Sequence, residues 1–185
     1  MIKGTFFLFL AGVAYAIQKP NIVLIVAEDL GRDWVSSYGA EHQTPNLDQL
    51  AKQGIRYETA WSMPMGIPSS VTLLSGQYPF RHGWTTHYDA PREGKVGLSP
   101  KKFTTFARVL RDHGYSTVIG GKWQINHLGK RPHALSEHGF DEHCVWPGAE
   151  TGEPETHGKY WNALLQANGR RGRATYGPDL SLIHI

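Results

Sequence analysis

Apolar positions along this chain fall into short runs punctuated by Gly, Pro and charged clusters. Residues 22–27, Ile-Val-Leu-Ile-Val-Ala, are continuously apolar and mostly β-branched, which predicts a strand buried on both faces, as in a parallel sheet. The run closes on Glu28 and Asp29, two carboxylates at the carboxyl end of a strand, where open α/β sheets place their sites. Residues 44–54 read as a helix: Thr44 as cap, Pro45 at the first helical position, Leu47, Leu50 and Ala51 as an apolar face, Gly54 as stop. Residues 55–61 predict a further strand, and Ser69 or Ser70 opens a helix that Gly76 closes. Residues 84–100 are rich in Gly, Pro and charge and predict an excursion loop. Phe106, Val109 and Leu110 share one face of a helix over 104–113 that Gly114 stops, and residues 115–119 predict a strand leading to Gly120-Gly121-Lys122-Trp123. Residues 148–173 are polar and weakly periodic, predicting loops with a short helix around 160–167. Strand, helix, strand, helix, strand is the order of βαβ units, so the expected class is α/β with a mainly parallel sheet flanked by helices. That sheet would bring Lys122 to the same edge as Glu28 and Asp29.

Composition narrows the picture. The 185 residues are 40% hydrophobic with a formal charge of +3, which suits one globular domain, since domains cluster at roughly 100–200 residues. The charge is too small to argue for nucleic acid, and Arg170-Arg171-Gly172-Arg173 reads as a solvated loop. Residues 1–16 read as a secretory signal peptide, with Lys3 before an apolar stretch and Ala14-Tyr15-Ala16 as the cleavage site; an uncleaved anchor is the alternative. Its apolar run falls short of the ~20 residues that span a bilayer, so no stable membrane span is expected and the location is secreted or periplasmic. A single cysteine, Cys144, excludes an internal disulfide and suits a buried small residue beside Val145 and Trp146. Residues 180–185, Leu-Ser-Leu-Ile-His-Ile, read as a translated sequencing adapter and are expected to be a non-native tail. The domain is therefore expected over residues 17–179.

Chemistry concentrates in residues 66–83, G-I-P-S-S-V-T-L-L-S-G-Q-Y-P-F-R-H-G. This stretch resembles the signature of the sulfatase family, in which C/S-x-P-S/T-R-x-x-L-L-T/S-G precedes a Tyr-Pro turn and an R-H-G corner. Pro68, Ser69, Leu73, Leu74, Ser75, Gly76, Tyr78, Pro79, Arg81, His82 and Gly83 match at the family spacing. Gly121-Lys122-Trp123-Gln124-Ile125-Asn126-His127-Leu128-Gly129 is similar to the family's G-K-W-H-L-G with three residues inserted, and His138-Gly139-Phe140-Asp141 is a further family-like string.

The resemblance implies an alkaline-phosphatase-like fold, incomplete at its C-terminus, and hydrolysis of sulfate esters on carbohydrates or small molecules. It implies that Glu28 and Asp29 stand where the family binds Ca²⁺, that Lys122 contacts sulfate, and that the active-site histidine is His127 or, in direct register, has become Gln124. It also exposes two departures. The nucleophile position, a Cys or Ser oxidised to formylglycine in the family, is Gly66, and the motif arginine is Ser70. Glycine has no side-chain carbon to oxidise, so covalent catalysis cannot run from it. Ser69, Ser70 and Thr72 lie two or more positions along, and Ser or Thr at a helix start is ordinarily a cap. The later Asp, Asn, His and Lys of the family site are not located in the chain. Two readings follow: a sulfuric-ester hydrolase of which this chain is an incomplete, inactive copy, or a secreted pseudoenzyme that binds sulfated glycans. A phosphatase or phosphodiesterase of the same superfamily is a third, and needs Ser, Thr or Cys in place of Gly66.

Overall fold

The computed structural model describes residues 19–85, 97–148 and 160–176. The signal-like residues 1–16, most of the expected excursion loop and the expected tail at 180–185 lie outside the described residues. The chain divides into two compact units between Arg56 and Tyr57, and each is taken by itself.

In the first unit the predicted strand does not form. Residues 21–27 form no helix or turn and pair with no strand among the described residues, and Ile25 is 85% exposed. Pattern marks a segment fit for a sheet interior, yet a parallel strand exists only through the ladder of a neighbour. Two 3₁₀ turns, Arg32–Trp34 and Ser36–Tyr38, precede helix α1, Pro45–Gln53. Pro45 starts that helix as expected, but Thr44 caps no backbone group. Its hydroxyl joins a polar cluster instead: Ser36 Oγ lies 2.7 Å from Thr44 Oγ1 and donates to Asp48 Oδ2 at 2.6 Å. The apolar face expected to pack stays in solvent, with Leu50 66% exposed.

The second unit carries the core. Residues 57–61 are irregular, with Trp61 exposed, so the strand expected over 55–61 is also absent. Helix α2, Gly66–Ser75, is followed by the short α3, Pro79–His82, and by α4, Phe106–Asp112. Thr105 caps α4 by accepting from the Arg108 N–H at 3.2 Å. Strand β1, Val118–Lys122, helix α5, Ala134–Glu137, and strands β2, Glu142–Trp146, β3, Trp161–Ala167, and β4, Arg170–Tyr176, complete it. The sheet order is β1-β2-β3-β4. The α/β class holds, but only β1 and β2 pair in parallel; the other two pairings are antiparallel.

Connection chemistry explains that mixture. The crossover through α5 permits a parallel pair, whereas β3 and β4 are joined by Asn168-Gly169, both left-handed, with φ of 45° and 82°. Two such residues make a type I′ turn, whose twist matches an antiparallel hairpin. The helix expected around 160–167 is therefore β3, on which Ala163 and Leu165 alternate inward, and the arginine cluster read as a loop is β4. The strand expected over 115–119 begins three residues later, which makes Lys122 its last residue.

The main core joins Ile67, Val71 and Leu74 of α2 to Ala107, Trp123, Ile125, Leu128, Leu135, Phe140 and Val145. Each large apolar side chain buried there contributes about 1.5–3 kcal/mol. A smaller cluster of Trp146, Ala163 and Leu165 takes in Cys144 and Ala174, so the cysteine is the packing residue expected. Gly139 lets the turn after α5 lie against α4: its φ is +99°, and a Cβ there would stand 2.3 Å from Arg108 Cα.

Candidate functional site

Glu28 and Asp29 belong to the first unit, where they form an exposed turn rather than the end of a strand. Asp29 adopts a left-handed φ of 59°, a conformation Asp tolerates better than most residues. Among the described residues, no group of three or more His, Cys, Asp or Glu side chains could hold a metal ion. Calcium takes about six to eight oxygen ligands, so two exposed neighbouring carboxylates do not by themselves suit it.

The signature helix α2 starts at Gly66, three residues before the expected Ser69. Met65 precedes it in extended backbone and caps it with no side chain. Ser69 N–H donates to the Met65 carbonyl at 3.2 Å as the first helical bond, which leaves the N–H groups of Gly66 and Ile67 ahead of the intrahelical ladder. That end carries the positive pole of the helix dipole. The Ser69 hydroxyl accepts from Met63 N–H at 3.1 Å and donates to the Met65 carbonyl at 2.9 Å. It ties the incoming chain to the helix, a structural role that leaves it unsuited to attack. Ser70 is half-buried.

Thr72 lies against His82 of α3, Oγ1 to Nε2 at 3.1 Å. The pairing has the look of a nucleophile and its base, but the other ring nitrogen decides otherwise. His82 Nδ1 accepts from Trp84 N–H at 3.0 Å, so the neutral ring carries its proton on Nε2 and donates it to Thr72. Burial lowers the His82 pKa, which keeps the ring neutral. A base whose nitrogen is already protonated cannot take the hydroxyl proton; the pair clamps α3 to α2. Sequence alone marks the R-H-G corner but not this tautomer, which depends on the fold of the turn.

Lys122 ends β1 opposite Trp146 of β2 and is half-buried. Trp123 after it and Ile67 after Gly66 are packed in one hydrophobic cluster, so both motifs are anchored to the same core. The residues between Trp123 and His127 are core, not surface: Gln124, Ile125 and Asn126 are 5%, 3% and 0% exposed. Asn126 Nδ2 donates to the Leu98 carbonyl at 2.9 Å, and Asn126 forms an isolated bridge with Gly97. His127 begins the next turn, where its Nδ1 accepts from Lys130 N–H at 3.2 Å.

The Sulfatase family model matches residues 20–169. The chain belongs to the sulfatase family. It is 34% identical over 151 residues to the arylsulfatase of Klebsiella aerogenes, covering 78% of this chain and 32% of that protein. It is 39% identical over 151 residues to the N-acetylgalactosamine-6-sulfatase of Canis lupus familiaris, covering 76% of this chain and 28% of that one. The sulfatase chain thus spans about a third of the length of these relatives. The fold agrees: the crystal structure of Ps i-CgsB in complex with k-i-k-neocarrahexaose superposes with a TM-score of 0.71 at 29% identity, covering 88% of this chain and 39% of that one. Sulfatases generally bind a metal ion. No helix among the described residues of this family member is long and apolar enough to cross a membrane.

Proposed function

We propose that this chain is the N-terminal part of a sulfatase catalytic domain, of the sulfuric-ester hydrolase class acting on sulfated carbohydrate or aryl sulfate, and that as written it does not turn over. One observation carries the second half: Gly66 is the first residue of α2 and has no side chain. Ser70 in place of the arginine removes a planar fork of donors, and Ser69 and Thr72 are committed to structural hydrogen bonds. In direct register Gln124 takes the histidine position and Lys122 remains as a sulfate-contacting cation. The resemblance would make the metal Ca²⁺, but Glu28 and Asp29 alone do not suit it, and no step is assigned to a metal in this chain. The signal-like N-terminus supports a secreted or periplasmic location.

Aryl-sulfate hydrolysis by the purified chain tests this directly. The expected rate is that of buffer, since deleting a covalent nucleophile costs on the order of 10⁶-fold; measurable turnover would overturn the proposal. The double substitution Gly66→Cys and Ser70→Arg, in a chain carrying the remaining catalytic segments and made with the formylglycine-generating machinery, is expected to restore hydrolysis. A second reading, a pseudoenzyme that binds sulfated glycans, is favoured by two substitutions inside one motif whose helix, left-handed Gly76 at its C-terminal end and core anchorage are kept. Binding of sulfated but not desulfated oligosaccharide by the inactive chain supports it.

A further inference from the structure

A groove opens at the C-terminal end of α2, bounded by the last turn of that helix, Arg81 of α3 and the segment that leads into α4. Ten residues of helix set the two ends of α2 about 15 Å apart, so the groove does not include Gly66. Leu73, Phe103, Phe106 and Val109 give it apolar walls, Arg81 and Lys102 give it two cations, and none of the residues lining it is acidic. We propose that this groove binds a small aryl anion, with the flat ring against Phe103 and Phe106 and the acidic group on Arg81 and Lys102.

Size and charge point to that class. The groove holds about 750 Å³, within the roughly 300–1,000 Å³ of small-molecule sites. Leu73 and Val109 are 46% and 45% exposed, and covering such apolar surface is favourable. Among the described residues neither cation forms an ion pair with a carboxylate. Each is set against an aromatic ring instead: Lys102 Nζ lies 5.3 Å from the Phe103 centroid, and Arg81 Cζ lies 5.9 Å from that of Phe80. A ring attracts a cation through its quadrupole and leaves the charge in place. Both charges therefore remain to form charge-assisted hydrogen bonds with an anion. An aromatic body suits the site better than an alkyl one, because ring pairs gain energy beyond the area they bury.

The walls are held in place. His82 clamps α3 to α2 through Thr72 at 3.1 Å. The N–H groups of Lys102 and Phe103 both donate to the Ser99 carbonyl, at 3.1 and 3.0 Å. Arg108 Nη1 of α4 donates to the Pro100 carbonyl at 3.1 Å, which ties this turn to the helix. A site formed in advance loses less entropy on binding. The last turn of α2 is also the negative end of its dipole, where cations stabilise a helix with no ligand at all. That simpler role changes stability alone, so the experiment reads stability and binding separately.

Titration of the isotope-labelled full chain with naphthalene sulfonate, followed by NMR amide shifts, provides the test. The expected dissociation constant is on the order of 1 mM, with shifts gathered at residues 73–77 and 102–109. Uncharged naphthyl methanol should bind about tenfold more weakly to the parent chain, a comparison that needs no variant. Arg81→Gln/Lys102→Gln is expected to weaken sulfonate binding about tenfold or more, and Arg81→Lys/Lys102→Arg to recover most of that loss. Lys52→Gln/Lys130→Gln removes the same charge elsewhere and should leave binding within about twofold of the parent. Phe103→Leu keeps an apolar side chain without a ring and should cost about threefold. No saturable shift, shifts gathered at Gly66 and Lys122 instead, equal binding of the alcohol, or equal loss in the lysine control overturns the proposal. A double glutamine variant that loses thermal stability yet binds as the parent does also overturns it, leaving the two cations to the helix dipole. Unchanged binding in Phe103→Leu overturns the aryl assignment.

Discussion

His138 should make this protein acid-sensitive to an extent that one side chain can account for. The ring is fully buried against Trp123, with centroids 5.9 Å apart, and among the described residues neither ring nitrogen has a partner at full hydrogen-bond geometry. Burial is the main cause that lowers its pKa from 6.5 to about 4. The nearby Leu98 carbonyl and Glu137 pull it back up, while Arg131 and Arg108 push it further down. Arg131 is itself paired with Glu137 at 2.5 Å. The unfolded chain therefore takes up a proton on His138 as pH falls below about 6.5, while the folded chain refuses it until about 4. Stability from this group is fully present above pH 6.5, and linkage over that interval removes about 3 kcal/mol between pH 7 and pH 4. Urea unfolding of the chain and of His138→Gln at half-unit steps across that window measures the difference in slope, whatever the substitution costs at pH 7. Burial also lowers the pKa of His82 and His143, so the parent slope exceeds that of His138 alone and only the difference is diagnostic. Slopes that agree within about 0.5 kcal/mol between pH 7 and 4 would refute the reasoning, as would an NMR titration of the His138 ring with a midpoint near 6.5.

Gly139→Ala should destabilise by about 2–5 kcal/mol, combining a left-handed backbone with a Cβ driven into the backbone of α4. Gly169→Ala, with a φ of 82° but open space around it, should cost only the backbone part, about 1–2 kcal/mol; equal losses in thermal unfolding would remove the packing argument. Cys144 is half-buried and its pKa is raised by burial, so it should react with a thiol reagent at pH 8 far more slowly when folded than in denaturant. Equal rates would show the thiol to be exposed.

The helices were the most legible elements. Pro45 and Gly76 act at helix ends through local geometry, which a sequence carries in full, whereas the cap at Thr105 fell inside the helix expected from 104. Residues 22–27 and 55–61 read as strands and are not, because a strand is a relation between segments and composition supplies only one of the two. The hairpin at 161–176 was misread for a different reason. Its signal is the Asn168-Gly169 pair and the alternation of Ala163 and Leu165, short cues inside a segment whose overall polarity reads as loop. At the candidate site, the glycine at position 66 was visible in the sequence, whereas the start of α2 at that residue was not.

What the sequence determined by itself is chemical: the family, the absence of a side chain at Gly66, a serine at position 70, and a single thiol. These depend on residue identity, which folding leaves unchanged. Tertiary structure decided how the remaining groups behave. His82 holds its proton on Nε2 only because the turn at Gly83 aims the Trp84 N–H at Nδ1. His138 stays neutral only because folding removes its ring from water against Trp123. Arg171 and Arg173 share a face only because a type I′ turn makes their segment a strand. Protonation, tautomer and facing arise from distances between residues far apart in the chain, and those distances come into being when the core packs.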